Sequence, residues 1–181
     1  MLKAISFAVA TVIIPFANYT HSQAIATTPT TYQISQNTAK SAKITYDRIG
    51  VGGIKLSMSE AQVRKILGKP IQVSNSFLGA VGKTRTLKYS GITVELGEGS
   101  KPGSYNVYQI KANGSNYATP DGVKIGDSQS KLIKTYGKIK PSKNGNVSLF
   151  NYSISNPSPT IFIFTVKNGK VTEIECLDVL S

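Results

Sequence analysis

Histidine and cysteine are almost missing from this sequence: 181 residues hold one of each, His21 and Cys176. A lone cysteine excludes an intramolecular disulfide, so the fold must rest on its core. The histidine falls in a leader expected to be removed. Without it, Ser-His-Asp and Cys-His nucleophilic systems and imidazole metal sites are excluded, because each needs a base or ligand near neutral pH. Acidic residues are scarce too: 9 Asp+Glu face 21 Lys+Arg, a formal net charge of +12. The basic residues are scattered, with no run of five like charges. No apolar run reaches the roughly 20 residues a helix needs to cross a bilayer.

The amino terminus opens with Met1, Leu2 and Lys3, then runs almost without a polar residue through residues 4–17. These are the n-region and h-region of a secretory signal peptide, and Ala24-Ile25-Ala26 places cleavage after Ala26, with Ser22-Gln23-Ala24 as a second site. Residues 1–26 are therefore read as a leader and the protein as exported, periplasmic or extracellular, and bacterial. No cysteine lies near the cleavage point to support lipoprotein processing. Removal leaves 20 Lys+Arg against 9 Asp+Glu, a net charge of +11. That charge favours anionic envelope components or acidic protein surfaces over nucleic acid. The alternative is that it only keeps the protein soluble. Residues 27–45 are rich in Thr, Ser, Gln and Asn without an apolar period, and read as a flexible tether.

The rest carries an internal duplication. The segment from Gly53 to Lys69 aligns without a gap on the segment from Gly122 to Lys138, with glycines 53 and 68 in register with glycines 122 and 137. Each copy predicts a short helix. In the first, Ser57 and Glu60 suggest a capping box, Val63, Ile66 and Leu67 an apolar face, and Gly68 with Pro70 a stop. In the second, Gly126, Asp127 or Ser128 caps, Leu132 and Tyr136 stack, and Gly137 stops. Strands are expected at 84–89, 92–96 and 105–112, and again at 147–154, 160–166 and 170–177, with Asn168-Gly169 as a type I′ hairpin turn. The expected fold class is α+β: two tandem units, 46–118 and 119–181, each a helix plus three antiparallel strands. Side by side they form one sheet with helices on one face.

Two phrases carry a family resemblance. Gly-Val-Lys-Ile-Gly-Asp-Ser at 122–128, closing in Tyr136-Gly137-Lys138, resembles the opening of exported bacterial domains of the β-lactamase-inhibitor-protein-like fold. Ile54-Lys55-Leu56-Ser57-Met58-Ser59 through Leu67-Gly68-Lys69-Pro70 is similar to the same opening in the small lipoprotein of the outer-membrane barrel assembly machinery. The resemblance implies a tandem α+β layout whose exposed concave sheet binds other proteins, with no catalysis.

Motifs for chemistry are weak. Gly82-Lys83-Thr84 lacks the upstream glycine of a phosphate loop, so no nucleotide is expected. Glu173 and Glu175 share a strand face at a spacing that paired-carboxylate hydrolases use, but read more simply as a solvated edge. Cys176 reads as a buried small hydrophobe, and Asp121 and Asp127 as turn and cap residues. No cofactor, metal or integral membrane anchor is expected. The aromatics are better candidates, because such side chains dominate protein-binding hot spots. Tyr89, Tyr108, Tyr152 and Phe162, with Lys88 and Lys111, form the candidate partner-binding set on the sheet face opposite the helices. The rival placement for each aromatic is the core beneath the helices. The sequence thus favours a non-enzymatic exported binding module, with a cationic protein held electrostatically to an anionic polymer or membrane surface as the alternative.

Overall fold

The computed structural model describes residues 44–154 and 159–178. The expected leader and residues 27–43 of the expected tether lie outside the described residues. Ile44 already belongs to the buried core.

Among the described residues, ten strands and two α-helices follow in the order β1 (Gly50–Val51), β2 (Ile54–Lys55), α1 (Glu60–Leu67), β3 (Gln72–Leu78), β4 (Gly82–Tyr89), β5 (Ile92–Glu98), β6 (Tyr105–Ala112), α2 (Gln129–Tyr136), β7 (Ser142–Asn144), β8 (Val147–Ile154), β9 (Thr160–Lys167) and β10 (Lys170–Asp178). Strands β1 and β2 form a small sheet of their own; the other eight form one antiparallel sheet in the order β3-β4-β5-β6-β10-β9-β8-β7. This corrects the expected α+β class of two helix-plus-three-strand units. The described chain is mostly β, and each helix is followed by four strands. The additional strand is β3 in one half and β7 in the other. Both are exposed along their whole length, so neither carries the half-buried alternation that marks a strand in sequence.

The duplication is written in the backbone. Gly53 and Gly122 both take φ of 78°, and the next equivalent pair, Ser57 and Gly126, takes φ of 65° and 91°. Ser57 and Gly126 donate their amides to Val107 and Val171, which donate back to the carbonyls of Met58 and Asp127. Each helix is thereby tied to the strand it covers, α1 to β6 and α2 to β10. Ser59 caps α1 in a reciprocal box with Gln62, and Ser128 caps α2 through the Lys131 amide. The α1 cap lies two residues beyond the expected Ser57, whose left-handed backbone cannot serve as an extended cap. The expected box partner, Glu60, instead bridges Arg64 and Arg85, each at 2.7 Å.

Cross-strand register assigns every side chain to a face, because residues directly opposite one another point the same way. On the helix side one line of neighbours runs Leu87, Val94, Ile110, Cys176, Phe162, Tyr152. A parallel line runs Tyr89, Ile92, Ala112, Ile174, Phe164, Phe150. All but Tyr89 are buried. The first half packs aliphatic side chains, whereas the second clusters Tyr136 with Tyr152, Phe162 and Phe164 at centroid distances of 5.2–5.8 Å. Tyr136 donates its hydroxyl to Thr119 Oγ1 at 2.7 Å.

Tyr89 and Tyr152 play matching parts. Each donates its hydroxyl to the carbonyl of the glycine that ends its helix, Tyr89 to Gly68 at 3.4 Å and Tyr152 to Gly137 at 2.8 Å. A helix end leaves carbonyls without an intrahelical donor, and the tyrosines supply one. Burial pushes the Tyr152 hydroxyl up to about 12, so it remains a donor through the physiological range. Tyr152→Ala should therefore lower stability by about 3–5 kcal/mol, the cost of truncating a buried aromatic. Tyr152→Phe, which deletes only the hydrogen bond, should cost about 1 kcal/mol. Urea unfolding checks both values.

Candidate functional site

The expected partner-binding set does not share one face. Tyr152 and Phe162 lie on the helix side, 3% and 0% exposed, inside the aromatic cluster. Tyr89 lies on that side as well, packed against the core. The face opposite the helices keeps Tyr108, Lys88 and Lys111. Strand parity was visible in the sequence; which parity the two helices cover was not.

On that second face a line of neighbours crosses the sheet as Gln72, Lys88, Thr93, Lys111, Glu175, Ile163, Asn151. Beside it runs Thr86, Glu95, Gln109, Leu177, Ile161, Ser153. Lys88 is exposed near one end. Lys111 sits at the centre, with its ammonium 3.6 Å from Glu175 and 3.7 Å from Glu173. Glu175 also accepts a hydrogen bond from the Gln109 amide, and only 5% of its side chain meets solvent. The sequence did not predict this pairing. Glu173 and Glu175 do share a face, but Glu175 is a buried partner of Lys111 at the sheet's centre, not part of a solvated edge.

Tyr108 reaches this face through a bulge. Glu95 pairs with Gln109 and Leu96 with Val107, so Tyr108 is the extra residue between them. Its hydroxyl donates to Glu95, and burial together with that carboxylate pushes its ionisation far upward. Ile161 and Ile163 are 3% and 4% exposed on the same face. Strand β9 is thus buried on both sides.

The other chemical candidates have structural positions. Cys176 is buried on the helix side, and burial raises its thiol well above the usual range. Asp127 accepts the Lys124 amide and pairs with Lys131 at 2.7 Å, while Asp121 pairs with Arg48 at 3.1 Å. Among the described residues, no group of three or more His, Cys, Asp or Glu side chains could hold a metal ion.

The exposed apolar surface lies at an edge that sequence reasoning passed over. Ile71, Val73, Phe77 and Leu78 are 77%, 44%, 71% and 52% exposed on or beside β3. Among the described residues, that strand is paired on one side only, to β4. Apolar residues on an edge strand are a recognition signal. Their alternation as Ile71, Val73 and Phe77 was the available hint.

In class the described chain is mostly β: one eight-stranded antiparallel sheet, a two-stranded sheet of β1 and β2, and two short α-helices over one face of the large sheet. No protein-family model, no curated protein and no solved structure matches the chain.

The Lys111 arrangement yields a test. Lys111→Ala should cost about 1–3 kcal/mol, because it withdraws the cation beside a buried carboxylate. Adding Glu175→Gln should recover part of that loss. A double-mutant cycle followed by urea unfolding measures the coupling; strictly additive costs would contradict it.

Proposed function

We propose that this protein is an exported, non-enzymatic binding module that captures an extended segment of protein along the free edge of β3. The observation that carries the reading is this edge. Among the described residues, it leaves one row of backbone hydrogen-bonding groups without a strand partner, beside the exposed Val73, Phe77 and Leu78. An added strand would gain main-chain hydrogen bonds there, and its alternate side chains would meet Val73 and Phe77 on the helix side.

The chain's own features support a binding rather than a catalytic role. The acidic residues near the sheet centre are engaged by Lys111, Gln109 and Tyr108. The cleft between the start of α1 and β6, about 420 Å³, is lined by Glu60 and Arg64, which are paired with each other. A second reading, attachment to an anionic polymer or membrane surface, is favoured by a different feature. Lys138, Lys140 and Lys143 line a concavity of about 760 Å³ with Ile139 and Pro141. Salt separates the two readings, since exposed charges are screened beyond about 8 Å at 0.15 M and strand pairing is not.

A photoreactive phenylalanine analogue at position 77, introduced in the producing cell, should crosslink to protein through β3, while one at Tyr89 should not. Phe77→Lys should abolish capture with less than about 0.5 kcal/mol of lost stability, as for other exposed substitutions. Equal crosslinking from both positions would contradict the reading.

A further inference from the structure

The two ends of the large sheet are finished differently. At one end β7 is three residues long and carries Lys143, and a short, charged edge discourages pairing. At the other end β3 runs seven residues in unbroken register with β4, without a bulge. No charged residue occurs between Lys69 and Lys83, although the chain as a whole carries +12. A neutral thirteen-residue stretch in so cationic a protein removes the usual protection from one edge alone.

The centre of β3, residues 73–77, also matches itself. Read outward from Asn75 it is Ser74 and Ser76, then Val73 and Phe77. In an antiparallel pairing of two copies centred on Asn75, Ser74 faces Ser76, Val73 faces Phe77, and Asn75 faces its own equivalent. Moving the centre to Ser76 would set Asn75 against Phe77; moving it to Ser74 would set Val73 against Asn75. Over its five central residues the Asn75 register keeps apolar with apolar and polar with polar, and only the strand ends set Gln72 against Leu78. It also gives the isologous geometry of a two-fold dimer.

We infer that the occupant of this edge is a second copy of the same chain, with β3 pairing to β3 across a two-fold axis at Asn75. The partner rests on the reading of β3 as a strand-addition edge. Charge favours it: like-charged copies repel over most of their surface, and a neutral strand is where they can meet. Residues 73, 75 and 77 of both copies then point to the helix side, so the two eight-stranded sheets continue with all helices on one face. Seven residues a side is far below the roughly 20–30 of a standard interface, so association is weak and reversible.

Sedimentation velocity on the protein in the form its producing cell accumulates, from about 1 μM to about 1 mM, should show a monomer–dimer equilibrium, the range such a small interface occupies. Asn75→Lys, which sets two ammonium groups across the axis, should weaken it at least about tenfold, the effect of about 1.4 kcal/mol. Because Asn75 also accepts a hydrogen bond from Arg85, Phe77→Lys serves as the second variant and should do the same. Under mild oxidation Asn75→Cys should form a disulfide-linked dimer. Gln72→Cys, which faces Leu78 of the other copy, should do so only when mixed with Leu78→Cys. Cys176 is buried and stays out of the reaction. Gln72→Cys crosslinking to itself as fast as Asn75→Cys would overturn the register. A monomer at every concentration whose residue 77 crosslinks to another protein would overturn self-pairing and leave the binding edge standing. A monomer with no crosslink from residue 77 would overturn both.

Discussion

Everything in this molecule hangs on the pairing of β6 with β10. Those strands are the last of each repeat, and they meet antiparallel: Ile110 with Cys176, Ala112 with Ile174. Val107 and Val171 make the same hydrogen bonds to the two helix entries, so three and five residues on Ile110 is equivalent to Ile174, and Ala112 to Cys176. Each position therefore pairs with the counterpart of its partner, as in the interface of a two-fold dimer. The central pair, Lys111 with Glu175, has diverged into opposite charges. One fused copy thus gains what two separate copies could not hold, a lysine beside a carboxylate at the middle of the sheet.

That seam decides the rest. It places β6 and β10 at the centre, so the last strand of each repeat cannot serve as an edge. The edges fall to the strands that directly follow the helices, β3 and β7. The aromatic side chains are drawn into the core of the second half, where Tyr136, Tyr152, Phe162 and Phe164 interlock. Apolar surface is left instead at Ile71, Val73, Phe77 and Leu78. The proposed binding role moves with it, from the middle of a sheet face to the rim of the sheet.

Much of the fold was legible. The paired glycines at 53 and 122 marked backbone positions that take the same positive φ, and six strands followed from alternation and turn residues. What escaped had physical reasons. Gln72–Leu78 has no buried position, and its apolar residues fall on both parities as Val73, Phe77 and Leu78, so only the spacing of Ile71, Val73 and Phe77 set it apart from a loop after Pro70. Ser142–Asn144 has no apolar residue. Ser57 and Ser59 both offer a capping pattern, with Glu60 and Gln62 respectively, and only the backbone chooses between them. For the site, parity separated Tyr152 and Phe162 from Ile161 and Ile163. The side covered by the helices is settled by tertiary packing, and it sends both aromatics into the core.

The central claim is that the β6–β10 seam makes both repeats one cooperative body and leaves β3 as its open edge. Native-state hydrogen exchange at low protein concentration tests it most directly. The account predicts that amides of β6, β9 and β10 are the slowest, that both repeats share one opening free energy, and that the outward amides of β3 exchange fast. Two distinct opening free energies, one for each repeat, or protection of the outward β3 amides equal to that of β6, would contradict it.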